Sequence, residues 1–255
     1  MKIETVSLIG SGNIAHWLVY TMKNAGVTIR QIYSRQLAHA EELAEKAGAE
    51  AIDNLKALSP DSDLYIFSVK DDSYETLLKQ LPFRLPLAVH TAGSLSIRMF
   101  ETYADDYGIL YPYQSLNKNM EFKDVKVPLG VEANGQTFEN ELFAFAQRLS
   151  PIVQLLKESQ RLVLHRAAIF GCTFTNAMYS IAYDILQEHN IDWQMILPLL
   201  QNTLDKVKTM NPHDAQTGPA QRGDQNIIRL HQEAIQDDRL KEIYRLVTEY
   251  IMEHR

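Results

Sequence analysis

Gly10-Ser11-Gly12-Asn13-Ile14-Ala15 follows an apolar run, Thr5 to Ile9, and opens an amphipathic stretch, Ile14 to Ala25. The order is strand, glycine turn, helix, which builds a phosphate site for a dinucleotide. Gly10 permits the tight turn. Gly12, lacking a Cβ, lets a pyrophosphate reach the backbone, and Ala15 allows helix and strand to pack closely. The uncapped N–H groups and partial positive charge of the helix start attract the anion. Gly10, Ser11, Gly12, Asn13 and Ile14 are therefore the first candidate cofactor-binding residues.

Working outward, helix and strand periodicities alternate. Ile14, Trp17, Leu18, Met22 and Ala25 form one apolar stripe, stopped by Gly26. The spacing predicts a strand at Val27 to Tyr33, a helix at Leu37 to Ala47 ended by Gly48, and a short strand at Ala51-Ile52. It predicts further strands at Leu64 to Val69, Leu85 to Thr91 and Gly108 to Tyr111. Between them come a helix from Asp71 to Leu81 and a short one near Ser96 to Tyr103. Two more strands, Val127 to Glu132 and Ile152 to Leu156, flank a helix from Phe138 to Leu149. Near-continuous apolar strands separated by helices imply a doubly wound, mostly parallel α/β sheet covered on both faces. The aperiodic stretch Pro112 to Lys126 leaves a strand's C-terminal end, where ligands bind in such sheets.

From Ser159 onward the chain reads as all helix. One long helix to about His189 would measure on the order of 45 Å if unbroken. A second, Asp192 to Met210, would be kinked at Pro198. One or two more run from Gln225 to about His254. Two domains follow, residues 1–156 and 157–255.

The chain has 255 residues, 45% hydrophobic and 22% charged, ordinary for a globular protein with a sizeable core. A net charge of −7 disfavours nucleic acid and anionic membrane as main partners. Cys172 is the only cysteine, so no intrachain disulfide forms, which suits a reducing compartment. No signal-like segment or membrane-spanning apolar run is evident, and a cytoplasmic location is expected.

At the end of the second strand stand Ser34 and Arg35, where an acidic residue would select NAD. A guanidinium fork with a hydroxyl beside it suits the 2′-phosphate of NADP, although Arg35 as a solvated surface residue is the plain alternative. Ser68, Val69 and Lys70 lie on the expected nucleotide path, with Lys70 either serving the phosphates or simply solvated. Thr91 and Ala92, at the end of the next strand, complete the cofactor set. His90 beside them is either an acid/base group or a ring that shapes the turn. Tyr111 is a wall residue or a proton donor. His165 and Asn176 lie about three helical turns apart, hence on one face if the helix is regular. Arg222, in Thr217-Gly218-Pro219-Ala220-Gln221-Arg222-Gly223-Asp224, binds an anionic substrate or pairs with Asp224, which could also cap the next helix. The candidate catalytic residues are thus His90, His165, Asn176 and Arg222. The histidines have no ligand spacing, so no metal is expected.

GSGNIA (10–15), SR (34–35), SVKDD (68–72), HTAGS (90–94), YPYQSL (111–116), LHRAA (164–168) and TGPAQRGD (217–224) together resemble a family of two-domain NADP oxidoreductases. Some members are labelled deazaflavin-coenzyme-dependent. The layout is also similar to ketopantoate reductase, pyrroline-5-carboxylate reductase and the β-hydroxyacid dehydrogenases. The resemblance implies a Rossmann-like N-terminal domain and an all-α C-terminal domain of the 6-phosphogluconate-dehydrogenase type. It also implies NADP(H) as cofactor, hydride exchange with a small carbonyl or imine substrate between the domains, and a homodimer through the helical domain. A non-catalytic NADP(H) sensor is the alternative. Two departures stand out. If Asn176 matches the asparagine of the β-hydroxyacid dehydrogenases, Cys172 occupies the place of their catalytic lysine, and the proton donor must be another group. Many relatives carry a histidine where this chain has Tyr111.

Overall fold

A computed structural model describes residues 2–255. Its sheet contains β1 (Thr5–Ile9), β2 (Thr28–Tyr33), β3 (Glu50–Ile52), β4 (Leu64–Phe67), β5 (Leu85–His90), β6 (Ala104–Pro112), β7 (Leu129–Ala133) and β8 (Val153–Leu155). The strand order is β3-β2-β1-β4-β5-β6-β7-β8. Neighbours run parallel except β6 and β7. The order reverses between β1 and β4, which creates the crevice where such sheets bind ligands.

The strands read as apolar throughout because both faces are covered. In β4, Leu64 and Ile66 enter one core with Trp17, Leu18, Leu43 and Phe145. Tyr65 and Phe67 enter the opposite core with Tyr74, Leu78 and Phe100. The first layer is supplied by α1 (Asn13–Asn24), α2 (Leu37–Ala47) and α4 (Gln136–Leu149), and the second by the short α3 (Tyr74–Leu78). Gly48 closes α2 in the left-handed conformation at φ 70°.

Several expectations shift. The segment after β4 is a 3₁₀ turn, Asp71–Ser73, and a five-residue helix, not one helix to Leu81. Ile97–Phe100 is likewise only a 3₁₀ turn. β6 begins at Ala104, earlier than its apolar part, because parallel pairing with β5 carries the polar residues Asp105 and Asp106 along.

The chain divides into two compact units, one ending at Thr173 and the other running Phe174–Arg255. The change from strand to helix still falls between β8 and α5 (Glu158–Ala168). Packing places the division later than residue 156, because Arg161, Leu164 and His165 of α5 contact the sheet unit. The long helix is not regular. A π-helical stretch, Ile169–Phe174, separates α5 from α6 (Thr175–Glu188). Its wider turn removes the even pitch that would put His165 and Asn176 on one face.

In the second unit, α7 (Leu197–Thr209) follows a 3₁₀ turn at Trp193–Met195. Pro198 sits in its first turn and starts the helix instead of kinking it, since the missing N–H costs nothing there. The short α8 (Pro212–Ala215) and α9 (Pro219–Arg222) lead to α10 (Gln225–Ala234) and α11 (Asp238–Glu253). No helix of the described residues is long and apolar enough to cross a membrane.

Candidate cofactor site

The two glycines of the opening turn do different jobs. Gly10 has φ +126°, and a Cβ on it would stand 2.0 Å from the Ser68 carbonyl oxygen. It lets the β1 turn abut the β4 turn. A Cβ on Gly12 would meet nothing within 4 Å, so the backbone there faces open space. Gly12 is also the N-cap of α1, with no side-chain cap and no acidic residue in the first turn. The helix start therefore keeps its N–H groups and its positive end for an anion.

That space is a cavity of about 1000 Å³. The first wall is Gly10, Ser11, Gly12, Asn13 and Ile14 from the β1–α1 turn. The second is Ser34 and Arg35 at the end of β2, and the third Ser68, Val69 and Lys70 after β4, with Thr91 after β5. Ser11 Oγ donates to Ser34 Oγ at 3.0 Å and joins the first two walls. No Asp or Glu lines the cavity, whereas Arg35, Lys70 and His39 do, in a chain of net charge −7. Arg35 has no ion pair among the described residues. A polyanion with a terminal phosphate at the β2 end fits these walls. The same cavity meets Gln114, Ser115 and Leu116 of the aperiodic stretch, and Lys118 N–H donates to Asn13 Oδ1 at 3.0 Å.

Residue-by-residue reasoning missed His39, Gln36 and Ser73, which also line the cavity. His39 lies in the first turn of α2, a few residues beyond Arg35, so helix entry immediately after Ser34-Arg35 was the signal for it. Ala92 is not on the wall; it packs against the core below the sheet.

His90 requires a correction. It is the last residue of β5, and strand alternation turns its ring into the second core. It lies 5.9 Å from the rings of both Tyr74 and Phe100 and is wholly buried. Neither ring nitrogen has a hydrogen-bond partner. Burial and the nearby Arg161 guanidinium hold its pKa at about 3. A neutral, enclosed imidazole cannot deliver a proton to a ligand, so the acid/base role does not fit it.

His165 is exposed, and its Nδ1 lies 3.4 Å from the Tyr111 hydroxyl. Asn176 and Arg222 belong to the second unit. No bond joins Arg222 to Asp224; Asp224 instead caps α10 by accepting from Ile227 N–H at 3.3 Å. Cys172 is exposed within the π-helical stretch. Arg161, singled out by no motif, is fully buried. Its Nη2 stands 3.0 Å from Glu132 Oε2 and donates to the Leu95 carbonyl at 3.4 Å. Among the described residues no group of three or more His, Cys, Asp or Glu could hold a metal.

Strand order, crevice and carboxylate-free cavity define a dinucleotide-binding protein of the Rossmann type. Residues 5–89 match the family described as NADP oxidoreductase, coenzyme F420-dependent, and residues 127–251 match a domain of unknown function, DUF2520. A Bacteroides fragilis protein provisionally designated an NADP oxidoreductase is 37% identical with a TM-score of 0.91, over 99% of this chain and 98% of that one. The chain belongs to this family: it is an NADP-dependent oxidoreductase, and its cofactor is NADP(H). A 1-pyrroline-5-carboxylate reductase from Streptococcus pyogenes shares the fold at 17% identity and TM-score 0.68, over 98% of each chain. So does an imine reductase from Myxococcus stipitatus solved with NADP+, at 18% identity and TM-score 0.64, over 98% of this chain and 92% of that one. No curated protein matches the chain.

Proposed function

We propose that this oxidoreductase uses NADPH to reduce a small carbonyl or imine compound. The observation that carries the reading is the cavity wall that joins the open Gly12 turn to an unpaired Arg35 without one carboxylate. Gly10 to Ile14 hold the pyrophosphate with backbone N–H groups. Ser34 and Arg35 hold the 2′-phosphate, and His39 extends that rim. Ser68, Val69, Lys70 and Thr91 line the remaining wall. When bound, the cofactor supplies a hydride. The chain's own work is to orient it, to keep water off it and to move the accompanying proton. A carbonyl or imine acceptor accords with the reductases that share the fold.

Arg35→Glu should weaken NADPH at least tenfold, about 1.4 kcal/mol, and leave NADH nearly unchanged. Isothermal titration with both nucleotides measures this, and equal losses remove the 2′-phosphate role. Turnover is tested by NADPH oxidation against a panel of 2-keto acids and cyclic imines. Tight binding with no oxidation across the panel would replace the reductase by a sensor.

A second copy of the chain covers the apolar faces of the helical unit in this reading. Leu199, Met195 and Tyr250 are 62%, 76% and 57% exposed in one chain, more apolar surface than a monomer ordinarily leaves in water. Sedimentation over a range of concentrations tests this, and a monomer at micromolar protein overturns it.

A further inference from the structure

We propose that Tyr111 and His165 form a proton relay: the phenol protonates the heteroatom of the compound being reduced, and the imidazolium refills the phenol. The inference rests on the reductase reading above and assigns the proton that a hydride transfer must be matched with.

Tyr111 stands near the C-terminal end of β6, beside β5, whose following residue Thr91 lines the cofactor cavity. The chain leaving Tyr111 returns to the same cavity through Gln114 and Ser115. The ring is held from two sides. A Cβ on Gly93 would lie 2.5 Å from its Cζ and 2.8 Å from its hydroxyl, so the turn after β5 rests on the phenol tip. A Cβ on Gly130 would lie 3.5 Å from its Cδ1. Tyr113 packs edge-on at 5.9 Å and donates its own hydroxyl to the Leu164 carbonyl at 3.0 Å. That bond fixes α5 so that the next residue, His165, reaches the Tyr111 hydroxyl.

The two groups divide the labour by exposure. Tyr111 is 7% exposed and shielded from bulk water, while His165 is open to solvent and can reload. The charged and titratable groups around the phenol are Arg161 and His165 on α5, Tyr113, and Glu132 on β7 through its pair with Arg161. Burial and Tyr113 raise the pKa of Tyr111, whereas Arg161 opposes the rise and favours a transient phenolate. His90 is enclosed and neutral, so the dyad meets a need that this position leaves open.

The step balances. A C–H bond forms from the hydride that NADPH supplies, and an O–H or N–H bond forms as the Tyr111 O–H breaks. The Nδ1–H of His165 then breaks to restore the phenol, and His165 takes a proton from water. The substrate is reduced and NADPH oxidised, with one proton consumed.

The test uses the full-length chain. Tyr111→Phe keeps the ring and should leave the NADPH Kd within about twofold, yet lower kcat by at least roughly 100-fold on any panel compound that the native chain reduces. His165→Gln should lower kcat less and flatten the pH profile of reduction. Native-like kcat in Tyr111→Phe overturns the relay alone. Absent NADPH binding, or tight binding without turnover in the native chain, overturns the reductase reading itself.

Discussion

The sheet unit and the helical unit were built from residues of similar apolarity, yet they bury them very differently. In the first, Trp17, Phe67, Phe100, Phe138 and Phe145 are almost completely enclosed. In the second, only Ala215, Ala220, Ile228 and Thr248 are buried, and Leu230, Leu246, Val247 and Tyr250 are about half exposed. A doubly covered sheet closes its own core, since each strand finds helices on both faces. A few helices with one apolar stripe each cannot enclose two-sided hydrophobic surface within one chain. The first unit thus encloses its core by itself, and the second leaves apolar helix faces exposed.

This contrast can be broken in four ways. Gly10→Ala should cost most, about 3–5 kcal/mol, from left-handed strain and collision with the Ser68 carbonyl. Urea unfolding followed by Trp17 fluorescence, in a Trp193→Phe background, would reveal it; a loss under about 1 kcal/mol would deny the turn a role in the scaffold.

Acid is the next probe. Folding lowers the pKa of His90 from its ordinary 6.5 to about 3. The unfolded chain therefore takes up that proton first. Stability is untouched by this group above about pH 6.5 and declines as the pH falls toward about 3, the loss reaching roughly 3 kcal/mol by pH 4. His90→Phe, which deletes two unpartnered nitrogens among aromatic neighbours, should remove that part of the acid sensitivity. An unchanged pH dependence in the variant would show that the ring titrates normally.

Leu246→Glu with Tyr250→Glu should weaken self-association at least tenfold, about 1.4 kcal/mol, without moving the Trp17 unfolding transition. A transition that moved with it would mean that the two units share one core. Gly12→Ala is the mildest in stability, within about 0.5 kcal/mol, because its Cβ would enter open space at an ordinary φ of −80°. NADPH affinity should nevertheless fall at least tenfold, and a variant that binds normally would place the pyrophosphate elsewhere.

Leu37–Ala47 and Thr5–Ile9 were legible to the residue, and the crevice side of the sheet followed from the strand–helix alternation. Helix and strand patterns are short-range, so hydrogen-bonding periodicity and apolar spacing write them directly into the chain. The same local logic found the glycine turn, Ser34, Arg35 and the residues after β4. It failed where a side chain's surroundings depend on what packs against its element. The strand was legible through His90, but only Tyr74 and Phe100, brought in by other elements, decide that its ring is enclosed in the core. The π-helical stretch, the burial of Arg161 against Glu132, and the meeting of Tyr111 with His165 join positions distant in the chain. By itself the amino-acid order determined the elements, the doubly wound sheet and the phosphate turn. Tertiary packing decided that His90 and Arg161 are enclosed and that Tyr111 meets His165, because that choice is made between elements by burial and close contact.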